Sequence, residues 1–127
     1  MSEKSHVIST LVEHKPGVLQ NVAGLLNRRG FNIDSITVGA SEVEGLARMV
    51  FVVRGDEKVL EQVIKQLHKL VDVVKIKDLD PEYVLKRELC LVKVKTGKAD
   101  ARSEIVQYAD IFKAKIIDVC DDFISME

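Results

Sequence analysis

The sequence predicts an α+β protein: a ferredoxin-like βαββαβ domain followed by a shorter, partial ferredoxin-like βαββ module. Three observations carry this. Over residues 5–79 the hydrophobic period switches between alternation and three-and-four spacing in the order strand, helix, strand, strand, helix, strand. The strand, helix, strand, strand part of that order recurs over residues 89–127, an internal duplication of pattern. Asp80-Pro81-Glu82 stands between the two as a short linker, so the domains are expected at 5–79 and 83–127.

Residues 6–12 are rich in β-branched and apolar side chains and predict the first strand, which Pro16-Gly17 closes. From Val18 the apolar residues Leu19, Val22, Ala23, Leu25 and Leu26 line one face of a helix. Arg28 and Arg29 suit its last turn, and Gly30 stands where a helix ends in a left-handed residue. Residues 32–40 predict a strand with Ile36 and Val38 on one face and Ser35 and Thr37 on the other. A polar, acidic loop of hairpin length, 41–45, leads to a third strand at 46–54. Its centre, 49–53, is apolar on both faces, as expected of a strand inside a sheet.

Gly55-Asp56-Glu57 opens a second helix with Val59, Leu60, Val63, Ile64, Leu67 and Leu70 at inward spacing. Lys58, Glu61, Lys65 and Lys69 form its solvated outer face, and residues 71–79 predict the fourth strand. Right-handed crossovers then place both helices on one face of the sheet and leave the other bare. The second strand, with Ile33, Ile36 and Val38, is expected at an edge, where it can pair with another chain.

In the second module, 89–95 reads as a strand and 96–100 as a loop. Residues 103–112 read as a helix with Ile105, Val106, Ala109 and Phe112 inward; 115–120 is a strand and 123–126 begins another. About half the length of the first module remains for this one, so it is either a shortened version or lacks its last helix and strand. A three-stranded sheet under one helix is marginal alone, so it is expected to lean on the first module or on a partner chain.

Composition removes several functions. The 127 residues are 46% hydrophobic and 31% charged with a formal net charge of -1, a globular balance without a basic field for nucleic acid or anionic membrane. Apolar runs are strand-sized, far below the roughly 20 residues of a membrane helix. The N-terminus has no apolar segment of the secretory kind, which points to the cytoplasm. Cys90 and Cys120 lie in apolar runs and are expected as reduced, buried thiols. Aromatic residues are 5% and Trp is absent, too few for base stacking on a sheet. His6, His14 and His68 have no ligand spacing, and no nucleophile elbow, P-loop or dinucleotide motif occurs.

What remains is the stretch from His14 through Lys15, Pro16 and Gly17 to Val18 and Leu19, a loop opening directly into a helix. Two readings stand. Gly17 serves the turn after Pro16, or its missing Cβ admits a ligand carboxylate to the N–H groups of Gly17, Val18 and Leu19. Asn32 bonds the local turn after Gly30, or it donates to a carboxylate and accepts from an ammonium group, which suits a zwitterion.

Several runs resemble a known family. Glu13-x-x-Pro16-Gly17-x-Leu19 with Arg29-Gly30-Phe31-Asn32-Ile33 is similar to the ACT domain, a regulatory module that binds amino acids. Asn32-Ile33-Asp34-Ser35-Ile36-Thr37-Val38, Asp56-Glu57-Lys58-Val59-Leu60-Glu61-Gln62, Arg87-Glu88-Leu89-Cys90-Leu91-Val92 and Phe112-Lys113-Ala114-Lys115-Ile116-Ile117 resemble the small regulatory subunit of acetohydroxyacid synthase (acetolactate synthase). The resemblance implies a non-catalytic subunit that activates a large catalytic subunit and confers feedback inhibition by valine or a related branched-chain amino acid. It implies a homodimer joined through the second strands, with the effector at that interface. The corresponding positions are His14, Gly17, Val18 and Leu19 of the loop and Asn32 and Ile33 of the strand; some relatives carry Asn where His14 stands. Leu11, Val18 and Ile33 are expected to form the apolar wall. No cofactor is expected in this chain, since thiamine diphosphate, Mg2+ and FAD belong to the catalytic subunit. Two rival readings stand: a free-standing ACT sensor without a catalytic partner, and an enzyme on this fold, against which the absence of acid, base or nucleophile pairs argues.

Overall fold

In the computed structural model, which describes residues 4–127, the first unit of the chain runs as β1 (Lys4–Glu13), α1 (Val18–Arg28), β2 (Asn32–Ala40), β3 (Leu46–Gly55), α2 (Glu57–Leu67) and β4 (Val73–Leu79). Residues 1–3, on which part of the leader reading falls, lie outside the described residues. The strands form one antiparallel sheet in the order β2-β3-β1-β4, so β2 is an edge strand, as expected.

The register explains the core. Ile8 lies opposite Phe51, Thr10 opposite Met49 and Val12 opposite Ala47. These pairs bury against Val18, Val22 and Leu26 of α1 and Leu60, Val63 and Leu67 of α2, so both helices cover one face. The Thr10 hydroxyl is satisfied inside this layer by donating to the Met49 carbonyl at 3.3 Å. The opposite face is not uniformly bare. Val7 and Ser9 are buried there, and Arg48 Nη1 donates to Ser9 Oγ at 3.2 Å.

The helix boundaries have local causes. At the end of α1, Gly30 (φ 70) donates to the Asn27 carbonyl and Phe31 to that of Leu26, a Schellman closure. The Asp56 carboxylate accepts the Val59 N–H at 2.9 Å and caps α2, an interaction that stabilises by about 1 kcal/mol relative to Ala. α2 stops at Leu67 rather than Leu70, because Lys69 and Leu70 donate three residues back in a tightened turn. That turn uses the residues before β4, so the strand begins at Val73 and Val71 is 94% exposed.

A single 3-10 turn, Pro81–Tyr83, capped by the Asp80 carboxylate, occupies the expected linker, and the chain divides into two units after Val84. The second unit contains β5 (Val92–Lys95), α3 (Ala99–Phe112), β6 (Ile116–Val119) and β7 (Phe123–Met126). Its sheet order, β5-β7-β6, repeats the β1-β3-β2 arrangement, so the duplication extends to topology.

Several expectations fail here. β5 begins at Val92, not at 89, since β7 offers only four residues to pair with. Leu89 and Leu91 are therefore exposed, and so is Cys90 between them. Cys120 is exposed as well, in the turn after β6, so neither thiol is buried. The Asp118 carboxylate, 3.5 Å from the Cys120 sulfur, pushes that thiol above its ordinary pKa and keeps it protonated at neutral pH. Phe112 is 79% exposed rather than inward. Four-residue strands are about 13 Å long and α3, with 14 residues, about 21 Å, so part of its inward stripe has no sheet beneath it. Ala109 and Ile124 are the buried hydrophobic residues of this unit among the described residues.

Candidate functional site

The loop after β1 is tied down on two sides. Glu13 donates its N–H to the Asp72 carbonyl and His14 to that of Gly45, each at 2.9 Å. Lys15 Nζ sits 2.6 Å from Glu13 Oε2 and 2.9 Å from Asp72 Oδ1. Hydrogen bonds to these two carboxylates raise the Lys15 ammonium above its ordinary pKa, so it stays charged across the physiological range. The tie is complete below the ordinary lysine pKa and is lost only as pH rises through the raised value. Pro16 and Gly17 then turn the chain into α1.

Gly17 adopts φ 86, ψ -17, a left-handed conformation that glycine takes without strain. It is the N-cap of α1, and no side chain caps the helix. The first intrahelical bond runs from the Asn21 N–H to the Gly17 carbonyl at 2.9 Å. The N–H groups of Val18, Leu19 and Gln20 precede it and have no carbonyl within the helix. The first turn contains no acid. α2, by contrast, has the Asp56 cap and Glu57 in its first turn. The start of α1 is thus an uncompensated positive end with open space around Gly17, where a built Cβ meets nothing within 4 Å.

Of the residues singled out in the sequence, His14, Gly17, Val18 and Leu19 come together here. His14 and Gly17 are exposed and Leu19 is 46% exposed. The Val18 side chain is buried in the core, so Val18 can offer only its N–H. Asn32 and Ile33 are elsewhere. Asn32 lies opposite Arg54 on β3, whereas the loop follows Glu13, opposite Leu46. Eight residues of β3 separate these points, about 26 Å. The apolar wall of Leu11, Val18 and Ile33 does not assemble in one chain. Leu11 is in register with Arg48 on the face away from the helices, while Val18 and Ile33 pack on the helix side.

Two features escaped the sequence reading. One is the Lys15–Asp72 tie, which joins residues far apart in the chain. The other is a register shift in β2 between Ile33 and Ser35, beside which Arg54 Nε holds Asp34 Oδ2 at 2.7 Å. No group of three or more His, Cys, Asp or Glu side chains among the described residues is arranged to hold a metal. No helix among them is long and apolar enough to cross a membrane.

Comparison with known proteins gives these features a context. Residues 8–75 match the family described as the AHAS small subunit-like ACT domain, and residues 87–127 match that described as the small subunit of acetolactate synthase. The chain is 58% identical over 127 residues to a probable acetolactate synthase small subunit of Methanothermobacter thermautotrophicus, covering 100% of this chain and 76% of the relative. It is 46% identical over 127 residues to the acetolactate synthase small subunit of Mycobacterium bovis, covering 100% and 75%. The crystal structure of the small subunit from Thermotoga maritima superposes with a TM-score of 0.84 at 44% identity, over 97% of this chain and 76% of that one. The ACT domain of the GTP pyrophosphokinase from Chlorobium tepidum shares the fold alone: TM-score 0.54, 19% identity, 61% of this chain and all of that one.

Proposed function

This chain belongs to the family of acetolactate synthase small subunits, and from that premise we propose that it is the non-catalytic regulatory subunit of acetohydroxyacid synthase in branched-chain amino acid biosynthesis. It acts in the cytoplasm, activates the large catalytic subunit, and confers feedback inhibition by valine or a related branched-chain amino acid. Residues 5–79 form the effector-sensing ACT domain and 83–127 the second module. The pyruvate chemistry, with its thiamine diphosphate, Mg2+ and FAD, resides in the large subunit.

The observation that carries the effector reading is the uncapped start of α1, reached from Glu13, which lies about 26 Å from Asn32 along β3. One small ligand cannot span that distance, but two copies can close it. An antiparallel pairing of two β2 edges centred on Ile36 sets the Ala40 end of each strand against the Asn32 end of the other. Ala40 lies opposite Ala47, and Ala47 opposite Val12, beside the loop. The loop of one copy thereby approaches the partner's Asn32. The effector carboxylate takes the N–H groups of Gly17, Val18 and Leu19, with His14 at the rim. The partner's Asn32 holds the polar end, and Leu19 with the partner's Ile33 meets the branched side chain. Discrimination among branched-chain amino acids then rests on fit, at about 1–3 kcal/mol per methylene.

Reconstitution with the large subunit tests the function. Acetolactate formation is expected to rise on adding this chain and to fall again with valine. A chain that neither binds nor stimulates the large subunit is a free-standing sensor instead. Asn32→Ala is expected to weaken effector binding roughly ten- to a hundredfold, the effect of losing a hydrogen bond to a charged group, with the dimer intact by sedimentation. Unchanged affinity by calorimetry removes Asn32 from the site.

A further inference from the structure

Ile33 and Ile36 both pack on the helix side of the first sheet, although they are three residues apart. In an unbroken strand that spacing puts two side chains on opposite faces. The pairing with β3 reconciles the count. Ile33 lies opposite Val53 and Ile36 opposite Phe51, both fully buried, so β2 takes three steps where β3 takes two. The extra residue is Asp34, which the register skips between Ile33 and Ser35 and which forms a bulge there.

The bulge decides how two residues of the proposed effector site face. Counted from Ile36 without it, Ile33 falls opposite Arg54, on the face away from the helices. Asn32 then falls opposite Gly55, on the helix face. With the bulge, Ile33 packs against the core opposite Val53, and Asn32 lies opposite Arg54 on the outer face. A single-residue slip therefore exchanges the two.

One bond spans the junction. Asp34 Oδ2 accepts from Arg54 Nε at 2.7 Å, and Arg54 is the residue in register with Asn32. The bulged residue is thus tied to the far side of its own bulge. Ile33 holds the inner face by burial, and the ion pair holds the outer one. The two side chains are 31% and 54% exposed, so the pair adds little to global stability and its effect falls on the local register.

We propose that Asp34 is a positioning residue of the effector site: its bond to Arg54 pins the bulge that turns Asn32 to the outer face and Ile33 to the inner one. This rests on the effector reading above, in which the partner's Asn32 and the partner's Ile33 meet the ligand.

The test is calorimetry on the full-length chain with L-valine, L-leucine and L-isoleucine, the tightest of the three being followed through the variants. Asp34→Ala is expected to weaken binding about fivefold, with the dimer intact by sedimentation and the thermal midpoint nearly unmoved. Asp34→Asn, which keeps an acceptor oxygen, is expected to recover part of that loss, and serves in its place if Asp34→Ala does not fold. The decisive readout is the double variant. Because Asp34 acts through Asn32, Asp34→Ala is expected to add less than about twofold in an Asn32→Ala background. Full additivity, or a dissociated dimer, marks the pair as merely structural and overturns the proposal. Weakened binding in Asn32→Ala with unchanged binding in Asp34→Ala overturns the proposal alone. Unchanged binding in Asn32→Ala, or no binding of any of the three amino acids, overturns the effector reading and the proposal with it.

Discussion

A Gly17→Asp subunit, reconstituted with the large catalytic subunit, is expected to stimulate acetolactate formation normally and to lose inhibition by valine. Gly17 is left-handed at φ 86, with nothing within 4 Å of a built Cβ, so the new side chain meets no steric barrier. The backbone conformation costs a non-glycine residue about 1–2 kcal/mol, against a domain stability of about 5–15 kcal/mol, so the fold survives. The introduced carboxylate occupies the N–H groups at the start of α1 and repels that of the effector. Like charges so close cost several kcal/mol, or roughly a hundredfold or more in affinity. Gly17→Asn provides the control: it carries the same backbone cost without the charge, and is expected to retain a measurable part of the inhibition. Full inhibition of the Gly17→Asp holoenzyme places the effector somewhere other than this loop.

How much was legible in the sequence follows from how local each cause is. The bounds of β2 and the end of α1 were readable because Gly30 and the alternation of 32–40 act within a few residues. Asp56 announced α2 because a cap needs only its own first turn. The sequence pattern runs the fifth strand over 89–95, but a strand extends only as far as its partner, and β7 offers four residues. Apolar patterning points Cys90, Cys120 and Phe112 inward, yet all three are exposed, because such patterning marks the side that seeks cover, not whether cover exists. At the candidate site, His14 to Leu19 are contiguous and could be found together. The Lys15–Asp72 tie and the opposite facing of Leu11 arise from chain crossings that no local pattern reports.

Phe51→Ala is expected to have the largest effect on stability. Phe51 is fully buried at the centre of β3, with Ile8 opposite on β1 and Ile36 opposite on β2. Removing its ring leaves a cavity between the sheet and both helices, and such truncations cost about 3–5 kcal/mol. For a unit of this size the thermal midpoint falls by more than about 10 °C, while Val71→Ala, at a 94% exposed position, stays within about 0.5 kcal/mol. Calorimetry and urea unfolding measure both. A loss under about 1 kcal/mol for Phe51→Ala means that neighbouring side chains close the space. The consequence for regulation is specific. β3 supports Glu13 and the loop through Leu46, and supports Asn32 through Arg54, so in each copy this strand holds the loop of one proposed effector site and the Asn32 of the other. Stability and effector affinity therefore fall together in Phe51→Ala, whereas Gly17→Asp separates them.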